Sequence, residues 1–265
     1  MSYEKVDAGG VPAEWFRGEG CDESRVLLYL HGGGYSIGSI AGHRDPVSRL
    51  CLASGVRGLV IDYRLAPEHR FPAQVDDAVA TYRWLTGKTG VDPSRIVIAG
   101  ESAGGALTLS ALIALRDSGV PMPAAAVCVS PWVDLEMRGE SMVSNARYDY
   151  VSREVLRAYV RRFVREDEVR HPLAAPIHAD LRALPPLLVL AGGAEVLLDD
   201  SLALAARARD AGVSVTLEIE PDMIHAWHLF ARAFPRAQAT IERIGSFVRM
   251  HLKETAAELS PNAAV

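Results

Sequence analysis

Arg95-Ile96-Val97-Ile98-Ala99-Gly100-Glu101-Ser102-Ala103-Gly104-Gly105-Ala106-Leu107-Thr108-Leu109 is the stretch on which the reading of this chain turns. Residues 95–99 have the length and β-branched content of a buried strand, and the apolar spacing from Ala103 to Leu115 is that of a helix. Between them Gly100-Glu101-Ser102-Ala103-Gly104 fits GxSxG in the strand–turn–helix context that the motif requires. On such a turn the backbone passes so close to its neighbours that glycine is needed on either side, and the serine hydroxyl is lifted above the sheet as a candidate nucleophile. A serine capping a helix start is the ordinary alternative. The flanking strand and helix favour the nucleophile.

Outward from this turn, short apolar runs at Arg25–Leu30, Arg57–Ile61, Ala124–Val129, Leu187–Leu190 and Ser214–Ile219 read as further buried strands. Helical patterns at Val75–Leu85, Ser201–Ala211 and Ala237–Leu252 alternate with them. The alternation predicts an α/β fold with a mostly parallel central sheet and helices on both faces. Ligands of such sheets bind at the carboxyl ends of the strands, so chemistry is sought just after each strand. Residues 131–186 are too long for a simple crossover; proline-edged and helical at Ser152–Val164, they predict a cap or lid inserted into a single domain spanning 1–265. Thr255 to Val265 lose periodicity and read as a frayed tail.

His31-Gly32-Gly33-Gly34 follows the strand Arg25–Leu30, where glycines can turn backbone N–H groups into a site. Gly32, Gly33 and Gly34, with Ala103 after the nucleophile, are therefore candidate oxyanion-hole donors. A phosphate loop is the competing reading, but the spacing fits neither GxGxxG nor GxxxxGK[ST]. The base must be histidine if a serine hydroxyl is to lose its proton near neutrality. His225 comes a few residues after the strand Ser214–Ile219, at the carboxyl edge of the sheet; His228 lies one helical turn on, and His251 belongs to the last helix. The order Ser, acid, His selects His225. Glu195, in the loop leaving Leu187–Leu190, is the expected acid. Asp199 is its rival, although Asp199 and Asp200 stand where acids more often cap a helix start.

The 28 Lys and Arg against 33 Asp and Glu give a net charge of −5, which repels nucleic acid and anionic lipid alike. Residues 1–7 lack a secretory signal's basic start and apolar core, and no apolar run is long enough to span a bilayer, so a cytoplasmic location is expected. Cys21, Cys51 and Cys128 are far apart and form no CxxC pair; they read as reduced thiols, with no metal site. The Arg153, Arg157, Arg161, Arg162 and Arg165 series suggests a binding face, but interleaved Glu154, Glu166, Asp167 and Glu168 make it a solvated mixed-charge surface.

Taken together, His31–Gly34, Tyr63-Arg64-Leu65-Ala66-Pro67-Glu68, Gly100–Gly105, Ser130-Pro131-Trp132 and Pro221-Asp222-Met223-Ile224-His225 resemble, in order and approximate spacing, the blocks of the bacterial hormone-sensitive-lipase family of esterases. The resemblance runs along nearly the whole chain. It implies the α/β-hydrolase fold, a small-molecule acyl ester of short chain as substrate, no cofactor, and often a homodimer formed through the last strand and helices. It departs from the family in three places. His31 follows only thirty residues, so the N-terminal cap element is expected to be absent or reduced; Glu195 stands where Asp is more usual; and Glu101 does likewise beside the nucleophile. Arg64, Glu68, Asp76 and Asp77 match positions taken as structural, as buried pairs or caps. The same triad could hydrolyse an amide, a lactone or a thioester, since fold does not fix the acyl acceptor. A non-catalytic ligand-binding relative would show a broken triad, which His225 argues against.

Overall fold

The period-two alternation of the central strands sorts their side chains into two cores. In a computed structural model that describes residues 1–252, Val26, Leu28, Leu30, Ile96 and Ile98 enter one apolar cluster, whereas Leu27, Tyr29, Val97 and Ala99 enter the other. Both faces of the sheet must then be covered, and helices do so.

The strands are β1 (Ser2–Asp7), β2 (Pro12–Arg17), β3 (Asp22–Leu30), β4 (Val56–Ile61), β5 (Ile96–Glu101), β6 (Ala125–Val129), β7 (Leu187–Gly192) and β8 (Val215–Glu220). They form one sheet in the order β1-β2-β4-β3-β5-β6-β7-β8. β1 pairs antiparallel with β2 and β2 with β4, and every pairing from β4 onward is parallel. The helices are α1 (Ile40–Ser54), α2 (Ala73–Gly87), α3 (Ala103–Asp117), the single turn α4 (Ser141–Ser144), α5 (Arg153–Phe163), α6 (Leu198–Asp210) and α7 (Pro235–His251). Val75, Tyr82 and Leu85 of α2, most of α3, and Leu204 and Ala208 of α6 pack on one face. Val47 and Leu50 of α1 with Ile241, Ile244 and Val248 of α7 pack on the other. There α7 comes so near α1 that a Cβ at Gly245 would lie 2.7 Å from the Ala53 backbone.

The predicted α/β alternation and mostly parallel sheet are present, with strand bounds within a few residues of the sequence reading. Four elements were not foreseen: β1, β2, α1 and the single turn α4. β1 is almost wholly exposed, so it carries no alternating apolar pattern, and it pairs with β2 across a turn in which Gly9 and Gly10 have positive φ. α1 contains Gly42 and Pro46, which break the helical pattern, yet Ser39 Oγ accepts Gly42 N–H at its start and Gly55, at φ 71°, ends it. Of the family-matched charges, Arg64 and Asp77 do form a pair at 2.7 Å, but Glu68 is exposed rather than buried. Cys51 and Cys128 are buried free thiols, and Cys21 is free and half-buried. Among the described residues no helix is long and apolar enough to cross a membrane. The predicted tail 255–265 lies outside the described residues.

Candidate active site

The loops leaving β3, β5 and β8 meet at one rim, where they line a cavity of about 320 Å³. Gly32, Gly33, Gly34, Ser102 and His225 are all on its wall, joined by Val151, Val155, Leu156 and Tyr159 from the excursion between β6 and β7, and by Leu229.

Ser102 occupies the single residue between β5 and α3, at φ 56° and ψ −121°. A non-glycine residue there stores on the order of 1–3 kcal/mol and persists only if its surroundings hold it. Here its N–H donates to Val129 O (2.9 Å) and its carbonyl accepts from Trp132 N–H (3.0 Å). A Cβ at Gly100 would collide with the Gly104 carbonyl, and one at Gly104 with the Leu30 carbonyl, so the motif's two outer glycines are sterically required.

The glycine loop after β3 is fixed at several points. Tyr63 O–H donates to His31 O (2.6 Å), His31 Nδ1–H donates to Gly32 O (2.7 Å), and the His31 ring stacks on Tyr63. Gly33 and Gly34 take φ values of 111° and 59°. A Cβ on Gly34 would enter the ring of Tyr159, which places α5 directly against the loop. The N–H of Gly32 is engaged by Glu101 Oε1. The N–H groups of Gly33 and Gly34 have no acceptor among the described residues, and that of Ala103 opens α3, where no intrahelical acceptor exists. The geometry therefore sets Gly32 apart from the donors expected with it: its amide hydrogen is already committed to a carboxylate.

On the other side of the cavity, the loop after β7 is stitched to the loop after β8. Gly193 N–H donates to Glu220 O (2.9 Å) and Ala194 N–H to Met223 O (3.0 Å), and a Cβ at Gly192 would strike Met223 O. These bonds join the loop that carries Glu195 to the loop that carries His225. Glu195 is fully buried; its Oε2 accepts from Ser130 O–H (2.6 Å) and Gly192 N–H (3.1 Å). Ser130 Oγ in turn accepts Ala226 N–H (3.1 Å), so one hydroxyl ties the acid to the residue after the histidine. Glu195 Oε1 and His225 Nδ1 are both buried without a hydrogen-bond partner. Burial raises the Glu195 pKa well above its ordinary value and lowers that of His225. Both shifts oppose a lone charge, and both are relieved when opposite charges arise together.

The remaining candidates are placed elsewhere. Asp199 Oδ2 accepts Ser141 N–H (2.8 Å), and Asp200 accepts Val133 and Asp134 N–H (2.9 Å each), so both acids hold backbone of the 133–141 segment. His228 is buried behind the cavity with Nε2 3.4 Å from Tyr29 Oη, and His251 bonds Phe247 O within α7. Sequence reasoning did not find Asp149, whose Oδ1 accepts His225 N–H (3.2 Å) while Oδ2 accepts Val196 N–H (2.8 Å). Nor did it find His43, which lines the cavity from the unforeseen α1. No spacing marks either residue. Ser130 was visible only within the Ser130-Pro131-Trp132 block.

Residues 27–229 match the family described as alpha/beta hydrolase fold. The chain is 46% identical to an acetyl-hydrolase of Streptomyces hygroscopicus over 92% of its own length and 81% of that protein's. It is 37% identical to carboxylesterase NlhH of Mycobacterium tuberculosis, over 82% of this chain and 70% of that one. The crystal structure of an esterase from the bacterial hormone-sensitive lipase family superposes with a TM-score of 0.93 at 49% identity, covering 95% of this chain and 85% of the other.

Proposed function

This chain belongs to the bacterial hormone-sensitive-lipase family of α/β hydrolases, and on that premise we propose that it is a serine hydrolase cleaving short-chain carboxylic esters through Ser102, His225 and Glu195. One observation carries the assignment of the pair behind the nucleophile. Glu195 Oε1 and His225 Nδ1 are both buried and unpartnered, on loops that the Ser130 hydroxyl binds together. A buried orphan polar atom costs about 1–3 kcal/mol, so two on loops joined in this way are best accounted for by their bonding to each other in the working site.

In this reading Ser102 Oγ attacks the ester carbonyl carbon as its proton passes to His225 Nε2. The carbonyl oxygen becomes an oxyanion facing the N–H groups of Gly33, Gly34 and Ala103. Collapse breaks the bond to the alkoxy oxygen, which leaves as alcohol with the proton from His225, and the acyl group stays on Ser102. Water then repeats the sequence in reverse, losing its proton to His225, and the carboxylic acid departs. Glu195 fixes the Nδ1–H tautomer and offsets the charge on the imidazolium. The cavity, about 320 Å³ and walled by Val151, Val155, Leu156 and Leu229, lies at the small end of ligand sites and suits a short acyl chain. The name of the acetyl-hydrolase relative agrees with that size.

We read the 131–186 excursion as the cap of a single domain, with α5 as its roof over Gly34. Among the described residues β8 pairs only with β7, and this edge is the surface we assign to a homodimer, which light scattering would test; we place the enzyme in the cytoplasm. For the chemistry, a fluorophosphonate probe is expected to label Ser102. Ser102→Ala is expected to lose nearly all hydrolysis of p-nitrophenyl acetate, retaining roughly 1000-fold over water. Full turnover in that variant would remove Ser102 as the nucleophile.

A further inference from the structure

Beneath the glycine loop lies a buried polar cluster that acyl transfer does not itself use. Glu101 is 1% exposed and receives three donors: Gly32 N–H and His43 Nε2–H (2.8 Å) on Oε1, and Tyr29 O–H (2.6 Å) on Oε2. His43 Nδ1 stands 2.9 Å from Ser39 O. A backbone carbonyl only accepts, and an ionised carboxylate only accepts, so both ring nitrogens carry hydrogen and His43 is an imidazolium. Either neutral tautomer would turn a nitrogen lone pair toward an oxygen and break one of the two contacts.

We propose that the His43–Glu101 ion pair is a positioning device for the oxyanion hole, holding Gly32 at a fixed distance from the nucleophile so that Gly33 and Gly34 present their N–H groups to the reacting carbonyl. The inference rests on the esterase reading above and adds two residues to it. Its physical basis is connectivity. Glu101 is covalently joined to Ser102, and its side chain grips the first glycine of the donor loop, so one carboxylate sets the spacing between attacking oxygen and oxyanion donors. A misplacement of about 1 Å at such a site costs on the order of 100-fold in rate. The two ends of the grip stand on loops after the paired strands β3 and β5, and the carboxylate adds a side-chain link beyond the last paired residues, Leu30 and Gly100.

The charge state has support beyond the hydrogen-bond pattern. Burial alone would raise the Glu101 pKa, but His43, its hydrogen bond and Tyr29 outweigh it and bring the value down to about 2. Burial alone would lower that of His43, but Glu101 outweighs it and the net shift is upward. The groups facing His43 are Glu101 from β5, Asp62 after β4, the neutral His31 stacked at 5.3 Å after β3, Tyr29 from β3, and His228 behind it. Asp62, whose Oδ1 accepts Ile40 N–H, adds to the upward shift, and His31 and His228 stay uncharged because burial lowers them. The pair is therefore intact from about pH 2 up to the raised pKa of His43 and is lost as pH climbs through it.

The test compares wild type with His43→Gln, Glu101→Gln and Glu101→Asp, measuring kcat and KM for p-nitrophenyl acetate across pH and fluorophosphonate labelling of Ser102. His43→Gln keeps an N–H donor and removes the charge. It is expected to lower kcat by about 10- to 100-fold with KM within about threefold, and to abolish the alkaline decline in kcat that the loss of the ion pair is expected to give wild type. Glu101→Asp should recover part of what Glu101→Gln loses, and labelling of Ser102 should persist in all variants. Wild-type kcat in His43→Gln, a change confined to KM, or an unaltered alkaline limb would overturn the proposal. Should Glu101→Gln fail to fold, His43→Gln decides alone. Absence of labelling and turnover in wild type itself would instead sink the esterase reading.

Discussion

The molecule buries two glutamates beside its cavity, and their carboxyls are driven in opposite directions. Glu101 is 1% exposed and its pKa falls to about 2; Glu195 is 0% exposed and its pKa rises well above the ordinary value. Burial acts against the charged form in both. What differs is the company. Glu101 is met by donors on both oxygens, one of them cationic, whereas Glu195 has two neutral donors on Oε2 and none on Oε1. In the proposed assignment the nucleophile half of the rim is thus built around a charge already satisfied, and the base half around one left incomplete until His225 takes up a proton. The first arrangement suits a part that must stay still, the second a part that must change state.

The largest effect that would break this contrast is on turnover at Glu195. Glu195→Gln is expected to lower kcat for p-nitrophenyl acetate by about ten-thousand-fold, because Ser130 O–H and Gly192 N–H hold the amide oxygen at the Oε2 position, so that the amide NH2 takes the Oε1 position, selects the wrong imidazole tautomer and cannot offset the imidazolium. Stability should move the other way. A raised folded-state pKa makes Glu195 a stabilising contribution below its unfolded value that is lost as pH rises through the folded one, so Gln should increase resistance to urea, and more so at alkaline pH. For Glu101 the folded value is depressed from 4.5 to about 2, so its contribution is present above 4.5 and is lost as pH falls toward about 2. Glu101→Gln should therefore weaken the fold at neutral pH, with the deficit shrinking in acid. Urea midpoints that shift the same way in both variants would dissolve the contrast.

A smaller change sharpens it. Ser130→Ala removes the hydroxyl that donates to Glu195 Oε2 and accepts Ala226 N–H. It leaves the acid and base in place but uncouples their loops, and kcat is expected to drop about 10- to 100-fold with the fluorophosphonate adduct still at Ser102. Equal losses in Ser130→Ala and Glu195→Gln would mean that the hydroxyl, not the carboxyl, carries the role. A subtler mark of the same burial is the pH profile of wild type. Because burial lowers the His225 pKa below 6.5, the base stays neutral in mild acid, and the acid limb of kcat/KM should lie below pH 6.5. A limb above that value would mean that a neighbouring charge outweighs burial.

The two halves were not equally legible in the sequence. The nucleophile turn could be read because its glycines fall at fixed offsets from the serine, and the strand and helix on either side announce themselves by period, although the Leu30 carbonyl that excludes a Cβ at Gly104 comes from another strand. The parallel core strands were legible for the same reason. α1 was not, since Gly42 and Pro46 interrupt its pattern and its cap lies in a loop, and with it His43 went unread. Asp149 could not be found at all, because the excursion carries it to two loops that follow it by some fifty to eighty residues, and no local signal encodes that contact. The likeness of Gly32 to Gly33 and Gly34 in the sequence also hid their division of labour, which depends on a side chain from another strand.

The smallest expected effect tests the choice between acids. Asp199 follows Glu195 by one helical turn and from sequence alone competes with it, yet its carboxylate accepts Ser141 N–H at 2.8 Å and packs against Gly139, away from the cavity wall. Asparagine can still accept that amide through its Oδ1, so Asp199→Asn is expected to change kcat/KM by no more than about threefold and to leave the acid limb where it was. A loss approaching that of Glu195→Gln would transfer the acid's role to Asp199 and would require the loop after β7 to rearrange when substrate binds. The bonds of Gly193 to Glu220 and of Ala194 to Met223 oppose such a movement, because both would have to break before a residue in the first turn of α6 could reach His225.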